Sequence, residues 1–230
     1  MNRTVLRALG ALLLLTAASG AWGCRDAVVL VHGNTGSPSD WTTTVAELLQ
    51  RGWASSEIFT PSWGSGCAAC NNHSGSEETP VRIALADALQ TSCTGRIDVI
   101  GHSMGATLAA RQLAEFDLAS SVDAFVGIAG AFRGLWSCGR YPWNVWTSTC
   151  GDWGLSVGSP FLTALDGAPL AGRVYSIKSW SDQIVCATGV CTVGGIHSSR
   201  INGETASYTF GYGHFGLQSA TPSFQVDLIE

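Results

Sequence analysis

Short apolar runs alternate along the chain with stretches in which apolar residues recur at helical spacing. Residues 26–32, DAVVLVH, form the first run, and their near-continuous β-branched character is typical of a strand buried on both faces of a parallel sheet. The same pattern predicts later strands at residues 58–60, 97–100, 122–128, 173–177 and 207–210. Helices are predicted at residues 39–50, 79–91, 160–165 and 222–229, with another directly after residue 103.

Strands that alternate with helices predict right-handed βαβ units. We therefore expect an α/β fold with a doubly wound, mostly parallel sheet and helices on both faces. No interdomain linker interrupts the alternation, so residues 24–230 are predicted to form a single domain.

Two predicted insertions interrupt the alternation. Residues 63–76 are rich in Gly, Cys and Asn, which favours an irregular segment, and residues 131–160 show no clear periodicity. The second insertion could form an apolar wall for an acyl chain or a polymer surface, or it could fill a small second core. Its tryptophans are Trp136, Trp143, Trp146 and Trp153. A hairpin-like stretch is predicted at residues 185–193.

The first 23 residues have the pattern of a secretory signal. Arg3 and Arg7 precede a Leu/Ala-rich run at residues 8–18, and residues 19–21 and 21–23 each offer small residues at the −3 and −1 positions of a cleavage site. The run is too short to span a bilayer comfortably, so we expect no stable membrane span after processing. A lipidated Cys24 is an alternative, but it would leave seven other cysteines, an odd number. The chain is therefore predicted to be secreted, to the periplasm or the extracellular space.

Eight cysteines suit an oxidising compartment. Three pairs would close short loops, and the two remaining cysteines each lie just before a predicted strand. The pairing that we expect is Cys67–Cys70, Cys138–Cys150, Cys186–Cys191 and Cys24–Cys93. The C-A-A-C sequence could instead be a redox dithiol or half of a zinc site, but it has no second C-x-x-C and does not begin a helix. No metal site is predicted.

Composition excludes two classes of protein. Hydrophobic residues reach 46% and charged residues only 13%, which is not the composition of a disordered chain. The formal net charge is −5, and no basic face is visible, so we expect no nucleic-acid partner. Nothing in the pattern predicts an oligomeric state.

Gly101-His102-Ser103-Met104-Gly105 matches G-x-S-x-G between a predicted strand and a predicted helix, the context of a nucleophile elbow. The alternative is an ordinary strand–helix turn in a non-catalytic domain. The pattern also occurs at residues 154–158, around Ser156, but no strand precedes it there. Ser156 is therefore predicted to be a loop residue.

Other polar residues follow other predicted strands, whose carboxyl ends should meet at one edge of the sheet. Asp182 follows the fifth strand and His214 the last, and Ser…Asp…His is the chain order of an α/β-hydrolase triad. His214 would remove the proton from Ser103, and Asp182 would fix the imidazole tautomer. The backbone N–H groups of Asn34 and Met104 are predicted to form an oxyanion hole, so that the Asn34 side chain itself would matter little.

Each of these assignments has an alternative. Asp182 could cap a turn, and His197 could replace His214 as the base, although His197 lies in a predicted loop. His32 and His102 adjoin the predicted site and are expected to orient loops by hydrogen bonding. His73, in the first insertion, is expected on the surface.

The motifs HGNTG, GHSMGA, SDQIV and GYGHFGL together resemble the class 2 lipase family, the small lidless bacterial lipases of the α/β-hydrolase superfamily. The resemblance covers residues 26–217. It implies an α/β-hydrolase fold and carboxylic-ester hydrolysis. It places the nucleophile, acid and base at Ser103, Asp182 and His214, and the oxyanion amides at Asn34 and Met104. Both insertions exceed what the minimal enzymes need, which leaves the substrate size open.

The expected function is therefore that of a secreted serine hydrolase that cleaves carboxylic esters through an acyl-enzyme. Its partner would be an ester or lipid substrate, and this chemistry requires no cofactor. A polyester depolymerase of the polyhydroxyalkanoate type, using the same triad, is an alternative. A catalytically silent hydrolase fold that binds a ligand is a third.

Overall fold

The computed structural model describes residues 23–230, so all but the last residue of the predicted secretory signal lies outside it. Ten strands occur in this part of the chain: β1 (Ala27–Val31), β2 (Ile58–Phe59), β3 (Ile97–His102), β4 (Val122–Ile128), β5 (Leu135–Arg140), β6 (Ser156–Val157), β7 (Arg173–Lys178), β8 (Thr192–Val193), β9 (Ile196–His197) and β10 (Ala206–Thr209). Six of them form one parallel sheet in the order β10-β7-β4-β3-β1-β2.

Helices cover both faces of this sheet. They are α1 (Thr42–Gln50), α2 (Glu78–Thr91), α3 (Met104–Glu115), α4 (Pro160–Leu165), α5 (His214–Ser219) and α6 (Pro222–Asp227). None of these helices in the described part of the chain is long and apolar enough to cross a bilayer.

Alternate side chains of β1 enter two different cores. Val29 packs in the core shared with α2, α3 and α4, whereas Leu30 packs in the core shared with α1 and α6. All five residues of β1 are buried, as its continuous apolar run predicts for a strand with both faces covered. The doubly wound α/β architecture expected from the sequence is confirmed.

The four predicted disulfides are present: Cys24–Cys93, Cys67–Cys70, Cys138–Cys150 and Cys186–Cys191. Cys24–Cys93 joins the segments that lead into β1 and β3, which are neighbours in the sheet. The C-A-A-C sequence closes a turn on itself.

The second insertion has more regular structure than its sequence pattern indicates. Strands β5 and β6 pair in a small parallel sheet, and Cys138–Cys150 bridges the segment between them. The hairpin predicted at residues 185–193 is wrong in position, because it is formed by β8 and β9. Its turn is Gly194-Gly195, and both glycines have positive φ, which is what a tight hairpin turn requires.

The first insertion is anchored by buried side chains. Trp63 and Asn71 are buried, and the expectation that His73 lies on the surface is wrong. The His73 ring stacks on Phe161 with centroids 4.0 Å apart, and Nδ1 donates to a backbone carbonyl at 2.8 Å. Burial lowers the pKa of His73 to about 3, so the ring is neutral. The polar sequence around His73 carries no sign of the helices that pack over it.

A buried carboxyl, Asp98, lies near the start of β3, and its Oδ1 accepts a hydrogen bond from the Ala124 N–H at 3.0 Å. Burial, together with the nearby charge of Asp26, raises the pKa of Asp98 from 3.8 to about 8. This carboxyl ionises at a lower pH in the unfolded chain than in the folded protein. The contribution of Asp98 to the free energy of unfolding is therefore fully present below pH 3.8, and it is lost as the pH rises toward about 8.

We expect Asp98→Asn to remove this loss, because an amide keeps the acceptor oxygen and cannot ionise. The melting temperature of the variant, relative to wild type, should rise as the pH increases from about 5 to about 8. Thermal unfolding followed by circular dichroism at several pH values measures this difference. A difference that is constant over the range would contradict a raised pKa at Asp98.

Candidate active site

Ser103 occupies a sharp turn between β3 and α3. Its φ of 54° and ψ of −130° lie in a region that non-glycine residues seldom adopt. The Ser103 N–H donates to the Ile128 carbonyl at the end of β4 at 2.7 Å, which ties the turn to the sheet. The strand–turn–helix context predicted around Ser103 is present.

The two glycines of the motif permit close approach of backbone. A Cβ on Gly101 would lie 2.4 Å from the Ala106 Cα, and one on Gly105 would lie 2.0 Å from the His32 carbonyl oxygen. Both distances are far inside van der Waals contact with groups that cannot move aside. Any side chain at either position would therefore displace α3 from the sheet, and Ser103 with it.

Ser156, in the second copy of the motif, has no comparable turn. It lies in β6 rather than in the predicted loop, and its buried hydroxyl donates to the Cys150 carbonyl. This hydroxyl has a structural partner and lacks the strand–turn–helix setting.

The three predicted triad side chains lie in one hydrogen-bonded chain. The Ser103 Oγ is 2.8 Å from His214 Nε2, and His214 Nδ1 is 2.8 Å and 2.9 Å from the two carboxylate oxygens of Asp182. A carboxylate only accepts, so Nδ1 carries the proton and Nε2 is free to accept the Ser103 hydroxyl proton. This is the arrangement in which an imidazole can act as a general base.

The Asp182 carboxylate is fully buried but remains charged. Burial alone would raise its pKa, but the hydrogen bond from His214 and those from the N–H groups of Val185 and Ile184 hold the pKa below its ordinary value. These N–H groups donate to Oδ1 at 2.8 Å and 2.9 Å, respectively. An ionised Asp182 keeps the His214 ring in its Nδ1–H tautomer.

Two further side chains hold the backbone of His214. His102 Nε2 donates to the His214 carbonyl at 3.1 Å, and burial together with the His214 ring lowers the pKa of His102 to about 3. Gln183 Oε1 accepts from the His214 N–H at 2.9 Å. Sequence reasoning missed Gln183, and its place beside Asp182 in SDQIV is the only signal that could have found it.

His32 orients a loop by hydrogen bonding, as expected, and His197, the alternative base, lies in β9 rather than in the predicted loop. His32 Nδ1 donates to the Gly33 carbonyl at 2.9 Å, and its Nε2 accepts from the Trp63 N–H at 3.2 Å. His197 Nε2 donates to the Ser179 carbonyl at 3.1 Å, so this ring orients a loop.

The two predicted oxyanion donors are the backbone N–H groups of Met104, next to Ser103 in the chain, and of Asn34, which lines the same cavity as Ser103. Met104 is the first residue of α3, so its N–H is among those that the helix leaves without a partner. Asn34 follows β1, and among residues 23–230 its backbone N–H has no acceptor. The Asn34 side chain, which was expected to matter little, also makes a hydrogen bond, because its Nδ2 donates to the Ala68 carbonyl at 2.8 Å.

A cavity of about 530 Å³ opens beside Ser103 and His214. Its lining includes the apolar residues Ala68 and Phe215 and polar residues, among them Asp40 and Gln218. A volume of this size accommodates a small ester or one end of a longer chain.

A second cavity, of about 640 Å³, lies beside the Cys67–Cys70 turn, and its lining includes Ala69, Tyr141 and Trp146. The tryptophans of the second insertion differ in exposure, and none of the four belongs to a buried core cluster of the described residues. Trp143 and Trp146 are 85% and 93% exposed, whereas Trp136 donates its indole N–H to the Thr192 carbonyl. Trp146 lines this cavity, and Trp143 lies between Pro142 and Asn144, which also line it.

Comparison with known families finds a match to the family model described as Lipase (class 2) over residues 25–226. No curated protein matches the chain.

Three solved structures illustrate the likeness in fold. The mature Bacillus licheniformis lipase BlEst2 is 14% identical, with a TM-score of 0.66 over 90% of this chain and 94% of that one. The product of gene lin2722 from Listeria innocua is 14% identical, with a TM-score of 0.56 over 90% and 94%. Tomato methylketone synthase I, complexed with 2-tridecanone, is 11% identical, with a TM-score of 0.55 over 89% and 96%. The predicted α/β-hydrolase fold is thereby confirmed.

Proposed function

The chain belongs to the class 2 lipase family, which makes it a carboxylic ester hydrolase, and we propose that it cleaves its esters through Ser103, His214 and Asp182. The observation that carries this proposal is the unbroken hydrogen-bonded chain from the Ser103 hydroxyl through the His214 ring to the Asp182 carboxylate. The substrate is an ester or a lipid.

The first half of the reaction forms an acyl-enzyme. Ser103 Oγ attacks the ester carbonyl carbon while His214 Nε2 takes the hydroxyl proton. The negative charge on the carbonyl oxygen is stabilised by the N–H groups of Asn34 and Met104. When the tetrahedral intermediate collapses, the C–O bond breaks and His214 gives its proton to the leaving alcohol.

Water completes the cycle. It attacks the acyl-enzyme carbonyl while His214 Nε2 accepts its proton, and the proton then passes to Ser103 Oγ as the carboxylic acid leaves. Throughout both halves, Asp182 holds the Nδ1–H and stabilises the imidazolium that forms.

Secretion is also part of the proposal. Four disulfides are typical of an oxidising compartment, and they support a destination outside the cytoplasm for residues 24–230. The secretory signal proposed for residues 1–23 would direct the chain there.

Ser103→Ala should lower kcat on p-nitrophenyl esters by about 10⁶-fold, because no other hydroxyl lies against His214 Nε2 in the described residues. Ser156→Ala is the matched control, since it alters the same sequence pattern away from His214. Steady-state kinetics, with circular dichroism to verify folding, measure both variants. Normal turnover by a folded Ser103→Ala protein would refute the proposed nucleophile. Absence of ester turnover in the wild type would favour a silent, ligand-binding fold.

A polyester depolymerase is the second candidate function, favoured by the exposed Trp143 and Trp146 beside the 640 Å³ cavity. Large apolar side chains that are exposed close together along the chain favour contact with an apolar partner. An insoluble polyester would adsorb through these tryptophans and present its chain to the cavity at Ser103, because Ala68 and Ala69 of one turn line the two cavities.

We expect the double variant Trp143→Ser/Trp146→Ser to clear a polyhydroxyalkanoate film about tenfold more slowly, since each tryptophan contributes a large apolar contact area. Its kcat/KM on a soluble p-nitrophenyl ester should stay within about twofold of wild type. Phe116→Ser, which removes an exposed aromatic side chain at the far end of α3, is the control. Unchanged film clearing, or strong activity on triglyceride emulsions with none on films, would contradict the depolymerase.

A further inference from the structure

The side chains of Asn34 and Asn71 form a hydrogen-bonded pair between the loop after β1 and the first insertion. Asn71 Nδ2 donates to Asn34 Oδ1 at 2.6 Å. Asn34 Nδ2 in turn donates to the Ala68 carbonyl at 2.8 Å. Both ends of the Asn34 amide are therefore held by the insertion, residues 63–76.

The orientation of the Asn71 amide is fixed within the insertion. Its Oδ1 accepts from the Ser65 N–H at 2.8 Å and from the Ser65 hydroxyl at 3.0 Å, while Nδ2 also donates to the Ser65 carbonyl at 3.0 Å. The amide thus uses both lone pairs and both protons, and the residue is only 1% exposed. A buried amide with every bond made has one orientation, so it presents its Nδ2 to Asn34 without reorganisation.

The Ala68 carbonyl is the second fixed point. It also accepts from the Thr149 hydroxyl at 2.6 Å, and the same hydroxyl lies 2.7 Å from the Asn71 carbonyl. Ala68 lies inside the ring closed by Cys67–Cys70, and Thr149 precedes Cys150, which is bridged to Cys138. Two disulfide-bridged segments therefore hold the acceptor that Asn34 contacts.

The other hydrogen bonds of the loop that carries Asn34 converge on the Gly33 carbonyl, which accepts from the Gly36 N–H at 3.0 Å and from His32 Nδ1 at 2.9 Å. Thr35, which follows Asn34, has a positive φ of 58°. The Asn34 backbone N–H is attached to the same Cα as the side chain that the insertion holds. Holding that side chain at both ends therefore restricts the rotation of the backbone at Asn34, and with it the direction of the N–H.

We propose that Asn71 is a positioning residue for the oxyanion hole, and that it acts through the side chain of Asn34. This inference rests on the proposed function, because it assigns the Asn34 N–H to the developing oxyanion. Such donors act by being oriented before the charge appears, and a misplacement of about 1 Å can reduce the rate about 10²-fold. The insertion is then part of the machinery for the transition state as well as a wall of the substrate cavity.

The test compares Asn34→Ala and Asn71→Asp with Asn72→Ala. Asn71→Asp keeps the shape of the side chain but places an oxygen against Asn34 Oδ1. Asn72 is the matched control, since its side chain accepts from the Ser74 N–H within the same insertion and does not contact Asn34. The readouts are kcat and KM on a p-nitrophenyl ester, affinity for an alkyl trifluoromethyl ketone, the pH–rate profile and the melting temperature.

We expect kcat to fall about tenfold to a hundredfold in Asn34→Ala and Asn71→Asp, with KM within about threefold of wild type. Affinity for the trifluoromethyl ketone, whose adduct carries the oxyanion, should fall by a similar factor in both variants. The midpoint of the pH–rate profile should not move in Asn34→Ala, which adds no charge. Asn72→Ala should match wild type. If Asn71→Asp does not fold, Thr149→Val replaces it. This variant removes the hydroxyl that contacts the Ala68 and Asn71 carbonyls, and it should lower kcat by a smaller factor.

Three results would overturn the inference. Folded variants with wild-type kcat and ketone affinity would show that the amide pair does not position the donor. A lower melting temperature with unchanged kcat would make the pair structural only. Wild-type protein without ester turnover would refute the proposed function, and this inference with it. In contrast, an active wild type with unaffected variants would refute the inference alone.

Discussion

The hydrogen bond between Ser103 Oγ and His214 Nε2 is the contact on which the proposed chemistry depends. Ser103 follows β3 and His214 follows β10, and in the sheet β4 and β7 lie between these two strands. The bond can form only when four parallel strands are in register and their carboxyl ends meet at one edge. Asp182 follows β7, so the acid reaches the ring from a strand next to that of its histidine. The site is thus a consequence of strand order.

Close packing keeps this geometry in place. Ser103 holds an unfavourable backbone conformation because its N–H bonds to β4 and because Gly105 brings α3 against the His32 carbonyl. Asp182 stays ionised in a buried position because three N–H groups point at it. The first insertion also supports the site by packing, since the Asn71 side chain bonds to Asn34 in the loop that carries the second proposed oxyanion donor. Backbone strain and buried charge at the site are supported by contacts from elements that take no part in the proposed reaction.

Local patterns were enough to predict the parts of the protein that depend on local sequence. Near neighbours in the sequence are enough to predict the strand–turn–helix around Ser103 and the helices α1 and α2. Asp182 and His214 could be added to the predicted site because the carboxyl ends of parallel strands meet at one edge of the sheet. The sequence could not show what packs over an irregular segment. His73 is buried by distant helices, and the partner of Asn71 is 37 positions away. Such contacts leave no periodic trace in the chain.

A single labelling experiment tests the central claim most directly. The folded wild-type protein is treated with a fluorophosphonate, digested, and searched by mass spectrometry for the modified residue. The account predicts one adduct, on Ser103, and a rate of labelling that falls by about 10⁴-fold in Asp182→Asn, where the ring loses its enforced tautomer. An adduct on another serine such as Ser156, or no adduct on a folded protein that still hydrolyses esters, would contradict it.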